Sequence, residues 1–199
     1  MAPTLLNELA EGLTPLTALG FMYELAEITD GLAKDVRNHV IPAERLRIVF
    51  DENEPVAFIA SALKQTKYGN LYELEGIIIH PDLQGKKIGR KLLEDELRQT
   101  NSTLLGFQTQ NKRMADLGNS VAEYDASLVM ELAPLIGTPN PRVRINDSGE
   151  EILVHDRRYR GESLYRDMES FVRGGKLISG LNTDAGDALV FIGRIKETL

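Results

Sequence analysis

The chain reads as a mixed α+β (α/β) fold, on three observations. Strand-like runs cluster between residues 46 and 80. A strongly amphipathic helical stretch at 88–99 runs into a short apolar strand. Further helical and strand-like segments alternate toward the C-terminus. A helical bundle or a β-sandwich would not mix the two periods in this way.

In chain order, residues 4–37 carry apolar side chains at helical spacing, among them Leu16, Leu19, Met22, Leu25, Ala26 and Ile28. Gly31 separates two short helices and Pro42 ends the second. Residues 46–50 read as a strand, and Asp51-Glu52-Asn53-Glu54 as the turn into another at 56–63. Residues 71–80 form a third strand, closed by Pro81. Ile88, Leu92, Leu93 and Leu97, with charges between them, predict a helix over 88–99, and 104–108 a short strand. One helix is then expected from about 111 to 132, weakened by Gly118. Residues 137–141, with one glycine and two prolines, end it. Strands at 142–145 and 151–155 flank Asn146-Asp147-Ser148-Gly149, a hairpin signature. A helix at 161–173 stops at Gly174-Gly175, and a last hairpin pairs 176–181 with 188–195.

The 199 residues, 42% hydrophobic and 27% charged, suffice for a core without staples. Surface scaling predicts that about 70% of the unfolded surface is buried on folding. The absence of cysteine excludes disulfides, thiolate metal sites, cysteine nucleophiles and iron–sulfur ligation, and is compatible with a reducing cytoplasm. A net charge of −7 lacks the electrostatic footprint of a general nucleic-acid binder. Glu8 and Glu11 stand where a secretory signal would be basic and then apolar, and no stretch approaches the ~20 apolar residues of a membrane helix. The expectation is a cytoplasmic protein with no membrane partner.

Chemistry concentrates in LYELEGIIIHPDLQGKKIGRKLLEDEL, residues 71–97. A strand enters a loop holding Gly85, Gly89, Lys86, Lys87 and Arg90, and a helix starts at once. Unpaired amides and the positive dipole end at a helix start form an anion site, and glycine permits close backbone approach. This is a candidate phosphate-binding turn; the plainer reading is a solvated basic turn. No Walker loop and no dinucleotide fingerprint is present in it. His39, His80 and His155 are dispersed without metal-ligand spacing, and His80 is read as a cap on the strand end. The stretch 182–187 is read as a turn rather than a calcium loop. Arg142, Arg144, Arg157, Arg158 and Arg160 form a local basic run, to be either ion-paired within the chain or turned toward an anion.

The turn resembles motif A of the GNAT superfamily, the acetyl-CoA-dependent N-acetyltransferases, whose signature is Q/R-x-x-G-x-G/A. Gln84, Ile88 and Gly89 fit it, while Lys87 stands at the first glycine position, where it can donate its amide if its dihedrals do not demand glycine. The element order over 16–109 and the phrase IIIHPDLQGKKIG are also similar to the family's. The resemblance implies a single GNAT-like domain over 1–199, a mostly antiparallel central sheet flanked by helices, and an insertion at 110–160. It implies that the backbone of Ile77, Ile78 and Ile79 pairs with the pantetheine arm of acetyl-CoA, the cosubstrate. The amides of Lys87, Ile88, Gly89 and Arg90 would then hold the pyrophosphate, with Gln84, Gly85, Lys86 and Asn111 as further coenzyme-binding residues and no metal. The thioester would lie beside the splayed fourth and fifth strands.

On the same resemblance the chain acetylates a primary amine by direct attack in a ternary complex. Glu73, eleven residues before Gln84, matches the general-base position of the histone-acetylating branch; Glu75, on the same strand face, is the reserve. Tyr165 is favoured over Tyr124 as the acid near the sulfur, with packing as the plainer role of both. The alternative function is a catalytically inactive GNAT-like module that binds acyl-CoA or a protein. The acceptor's identity stays open, and a homodimer is among the expected partners.

Overall fold

The computed structural model describes residues 20–25, 43–51, 54–159, 178–197 and 199. Residues 20–25 are helical. The strands are β1 (Arg45–Asp51), β2 (Glu54–Thr66), β3 (Gly69–Ile79), β4 (Leu104–Thr109), β5 (Ala122–Tyr124), β6 (Arg142–Ile145), β7 (Glu151–His155) and β8 (Ala188–Ile195). The helices are α1 (Ile88–Gln99), α2 (Lys112–Val121) and α3 (Ala126–Leu132), with 3₁₀ turns at Pro81–Leu83 and Ala133–Ile136. The strands form one eight-stranded, mostly antiparallel sheet in the order β1-β2-β3-β4-β8-β7-β6, with β5 also on β8. This is the mixed, mostly antiparallel sheet that the resemblance implies.

The chain divides into two compact units, Met1–Ala62 with Leu74–Asp95, and Leu63–Glu73 with Glu96–Leu199. In the first, β1 pairs antiparallel with β2, from Arg45 opposite Ser61 to Asp51 opposite Glu54, with an irregularity at Val49/Phe50. Met22, Ile48 and Phe58 form a buried cluster, flanked by Tyr23, Leu46, Phe50 and Ile78. Phe21 and Phe50 meet edge to face at 5.4 Å. The α1 periodicity sends Leu92 and Leu93 fully inside, each burial contributing roughly 1.5–3 kcal/mol.

In the second unit, β3 and β4 run parallel over only three rungs, Leu71–Leu104, Tyr72–Leu105 and Glu73–Gly106. β4 pairs antiparallel with β8 along its whole length, Leu104 with Arg194 through Thr109 with Leu189. Phe107 and Phe191 stack on one face, ring centroids 4.6 Å apart. A Cβ on Gly118 would come within 2.5 Å of the Phe107 ring, so the glycine that weakens α2 is what lets it pack on that stack. The opposite face holds Leu71, Leu104, Leu128, Val129, Leu132, Ile136, Leu153, Val190 and Ile192.

Two expected elements are corrected. The single helix over 111–132 is two helices separated by β5, which pairs with β8 from Ala122–Ile195 to Tyr124–Gly193. Asp125 restarts the helix as its N-cap, Oδ1 accepting from the amides of Ser127 and Leu128 at 3.0 and 3.2 Å. Gly193 admits β5, since a Cβ there would lie 2.5 Å from the Glu123 carbonyl oxygen. The last hairpin is also different: residues 178–181 are not strand, and β8 pairs with β4, β5 and β7. Val154–Leu189 and His155–Ala188 are the β7–β8 rungs. Residues 176 and 177 and the expected helix at 161–173 lie outside the described residues, as do the N-terminal helices apart from 20–25. The 146–149 hairpin turn forms as expected between β6 and β7, closed by Asn146 N donating to Glu150 O at 2.9 Å.

Candidate active site

The strand-to-helix turn of the first unit starts at His80, whose amide donates to Val56 O at 2.8 Å. Its Nδ1 accepts from the Asp82 amide at 3.3 Å, so the side chain caps the start of the 3₁₀ turn Pro81–Leu83 rather than the strand end. Gln84 folds back, Nε2 donating to Ile79 O at 3.0 Å. Gly85 supplies a left-handed turn residue at φ 78°. Lys87 is left-handed too, at φ 62°. The condition placed on lysine at this position is therefore not met: the backbone here is one that favours glycine, and the lysine adopts it at a cost of about 1–2 kcal/mol.

The Lys87 carbonyl accepts the first helical bond, from Lys91 N at 3.0 Å. The amides of Ile88, Gly89 and Arg90 therefore precede the intrahelical ladder. Gly89 itself has no positive φ. A Cβ on it would sit 3.5 Å from Ile79 Cγ1 and 3.8 Å from Ile77 Cδ1, ordinary contact distances. Neither backbone nor packing requires glycine there, whereas a ligand approaching the main chain would. The residues present thus fit a pyrophosphate. Lys86 and Lys87 are exposed, while the Arg90 side chain is engaged by Glu94 at 2.6 Å.

In the second unit Glu73 is buried, 7% exposed, and its Oε2 is ion-paired to Lys64. Lys64 also donates to the Leu135 carbonyl. Glu75, in the first unit, is half-buried. Gln108, on the same face of β4 as Gly106, donates Nε2 to the Ile136 carbonyl. Its Oε1 lies 2.8 Å from His155 Nδ1, and Thr138 Oγ1 lies 2.9 Å from the same nitrogen. Burial pulls the His155 imidazole below its ordinary pKa, helped by Arg158 and opposed by Asp156 and Asp187. Sequence reasoning passed over Lys64, Gln108 and Thr138 and set His155 aside as dispersed. The available signal was a glutamine followed by a threonine at the end of a mostly apolar strand, and a histidine closing another.

Tyr124 ends β5 rather than lying on a helix. Its hydroxyl is enclosed beside the Leu153 backbone, and burial pushes its pKa up to about 12. Tyr165 lies outside the described residues. Asn111 caps α2, Oδ1 accepting from Arg113 N at 2.9 Å. Two arginines of the basic run are ion-paired. Arg142 and Arg144 both meet Asp156, at 2.9 and 2.7 Å, and Arg144 reaches buried Asp187 at 2.8 Å. Arg160 lies outside the described residues. The turn at 182–187 is tied by Asp187, which accepts from the amides of Asn182 and Arg157.

The model of the acetyltransferase (GNAT) family matches residues 16–117, more than half of the chain. The chain belongs to the GNAT acetyltransferase family. No curated protein sequence matches it. Among solved structures it is similar to the ribosomal-protein-S18-alanine N-acetyltransferase from Escherichia coli, at 16% identity over 94% of this chain and 95% of that one, TM-score 0.41. It is similar to a chain of the NatC complex bound to Gag peptide and CoA, at 13% identity over 89% and 91%, TM-score 0.48. An aminoglycoside 6′-N-acetyltransferase complexed with coenzyme A matches at 13% identity over 97% and 96%, TM-score 0.42. No described helix is long and apolar enough to cross a membrane.

Proposed function

We propose that the protein transfers an acetyl group from acetyl-CoA to a primary amine by direct attack in a ternary complex. The observation that carries this reading is Gly89, a glycine the chain itself does not require, set among amides that precede a helix ladder. Acetyl-CoA, when bound, supplies the acyl carbon and a thiolate leaving group. The amides of Lys87, Ile88, Gly89 and Arg90 hold its pyrophosphate. Gln84, Gly85 and Lys86 shape that loop, and the backbone of Ile77–Ile79 and Asn111 take the rest of the coenzyme. With no cysteine in the chain, no cysteine-linked acyl-enzyme can form.

An ammonium acceptor must lose a proton before its nitrogen can attack. Glu73 is assigned that proton, because its carboxylate is held in a fixed position by Lys64; Glu75 is the reserve. Tyr165 or Tyr124 is the candidate donor to the thiolate. The competing reading, a module that binds acyl-CoA without turning it over, draws on Lys87 at a glycine position. Acetyl-CoA consumption over a panel of small amines, peptide N-termini and lysine peptides decides between them. Turnover supports the transferase, and CoA binding by calorimetry without turnover on any amine supports the module.

A further inference from the structure

Gln108, Thr138 and His155 meet within the second unit, on the face of β4 that carries Gly106, the ladder partner of Glu73. Gln108 Nε2 is spent on the Ile136 carbonyl, so its Oε1 is the atom turned toward His155 Nδ1. A carbonyl oxygen only accepts, so Nδ1 carries the hydrogen and shares it with Thr138 Oγ1. In the neutral imidazole the basic lone pair then sits on Nε2. Burial and Arg158 favour that neutral form, while Asp156 and Asp187 oppose them.

The same turn also anchors Glu73. Lys64, the ion-pair partner of Glu73, donates to the Leu135 carbonyl, and Gln108 donates to the next carbonyl along, that of Ile136. Two proton-accepting groups far apart in sequence are thus fastened to consecutive peptide groups of one 3₁₀ turn. A primary ammonium sheds two protons on becoming an amide, and two accepting groups can relay them, one onward to the departing thiolate and one to water.

We propose that His155 Nε2 takes one of those two protons and Glu73 the other, with Gln108 the positioning residue that fixes the imidazole tautomer. The inference rests on the acetyl-transfer reading above. Glu73 removes the first proton from the ammonium. The freed lone pair forms the C–N bond to the acyl carbon, and the C–S bond breaks with its electron pair leaving on sulfur. The second N–H proton passes to His155 Nε2, giving imidazolium. One of the two protons is returned to the thiolate and the other is released to water. Ammonium and thioester thereby become amide, thiol and one proton.

The test combines steady-state pH profiles on a turned-over amine, CoA calorimetry and ¹⁵N imidazole spectra of the full chain. His155→Gln should lower kcat by roughly 10²–10⁴ and erase an acidic limb, with CoA affinity unchanged. Gln108→Glu sets a carboxylate against Nδ1–H and should move that limb to higher pH. The wild-type spectrum should show hydrogen on Nδ1. Hydrogen on Nε2 instead, an unmoved limb in Gln108→Glu, or full rate and an intact limb in His155→Gln each overturn the role of His155 while leaving the transferase reading in place. Should His155→Gln fail to fold, Gln108→Glu and the wild-type spectrum decide. Absence of wild-type turnover on every amine overturns the acetyl-transfer reading and this role with it.

Discussion

On the proposed function, the turn at 84–90 and the cluster on the Ala133–Ile136 turn would handle charge by different means. The first works through main chain: a left-handed Gly85, a left-handed Lys87 and three amides ahead of the α1 ladder. Side chains there are incidental, with Lys86 and Lys87 exposed and Arg90 occupied by Glu94. The second works through side chains, with Lys64 and Gln108 each tied to a backbone carbonyl and Glu73 and His155 held by them. A main-chain anion site tolerates side-chain exchange but not backbone change. A side-chain proton site has the opposite tolerance. The two regions can therefore be separated by mutation.

The largest effect should come from the side-chain region. Glu73→Gln should lower the rate of the chemical step by roughly 10²–10⁴, with CoA affinity nearly unchanged. The defect should shrink as pH rises, because more acceptor arrives already neutral. Pre-steady-state rates across pH for Glu73→Gln, Glu75→Gln and the double variant measure this. Wild-type chemistry in all three would remove both glutamates from the reaction.

The turn should show the converse pattern. Gly89→Asp adds a carboxylate where a dianion would lie and should weaken CoA by roughly tenfold or more in calorimetry. Gly89→Ala, with ordinary contacts to Ile77 and Ile79, should fold as stably as wild type and still bind CoA less well. Undiminished affinity in both variants would move the pyrophosphate elsewhere.

Gly193 is the complementary case, a glycine needed by the chain itself. A Cβ there would meet the Glu123 carbonyl oxygen at 2.5 Å, so Gly193→Ala must push β5 off β8. A loss of about 1–3 kcal/mol is expected in urea unfolding. A stable Gly193→Ala would mean that the β5–β8 rungs contribute little.

Local structure was legible in the sequence, and long-range assembly was not. The α1 helix was readable to the residue, 88–99, because amphipathic period and preceding turn both lie within a dozen residues. The same holds for the β6–β7 hairpin, whose turn residues are contiguous. The expected helix over 111–132 failed at Ala122, because β5 exists only through pairing with β8, some seventy residues later in the chain. Asp125 before an apolar run was a cap signal that could have marked the break. Among candidate site residues, the 84–90 loop could be read as a spacing pattern. The joining of Lys64, Glu73, Gln108, Thr138 and His155 depends on tertiary contacts that no spacing encodes.

The smallest effect separates backbone from side chain inside the turn itself. Lys87 holds φ 62°, which costs a lysine about 1–2 kcal/mol that glycine does not incur. Lys87→Gly should therefore stabilise the fold by about 1 kcal/mol, raising Tm by roughly 2–4 °C for a chain of this size. It also removes an exposed ammonium beside the proposed pyrophosphate. If the amide makes the contact, CoA affinity should stay close to wild type, falling further only at low ionic strength where the missing charge is felt. A tenfold loss at physiological salt would transfer the contact from the amide to the ammonium. The lysine would then be a charged replacement for the family glycine, bound through its side chain and retained despite the strain it imposes.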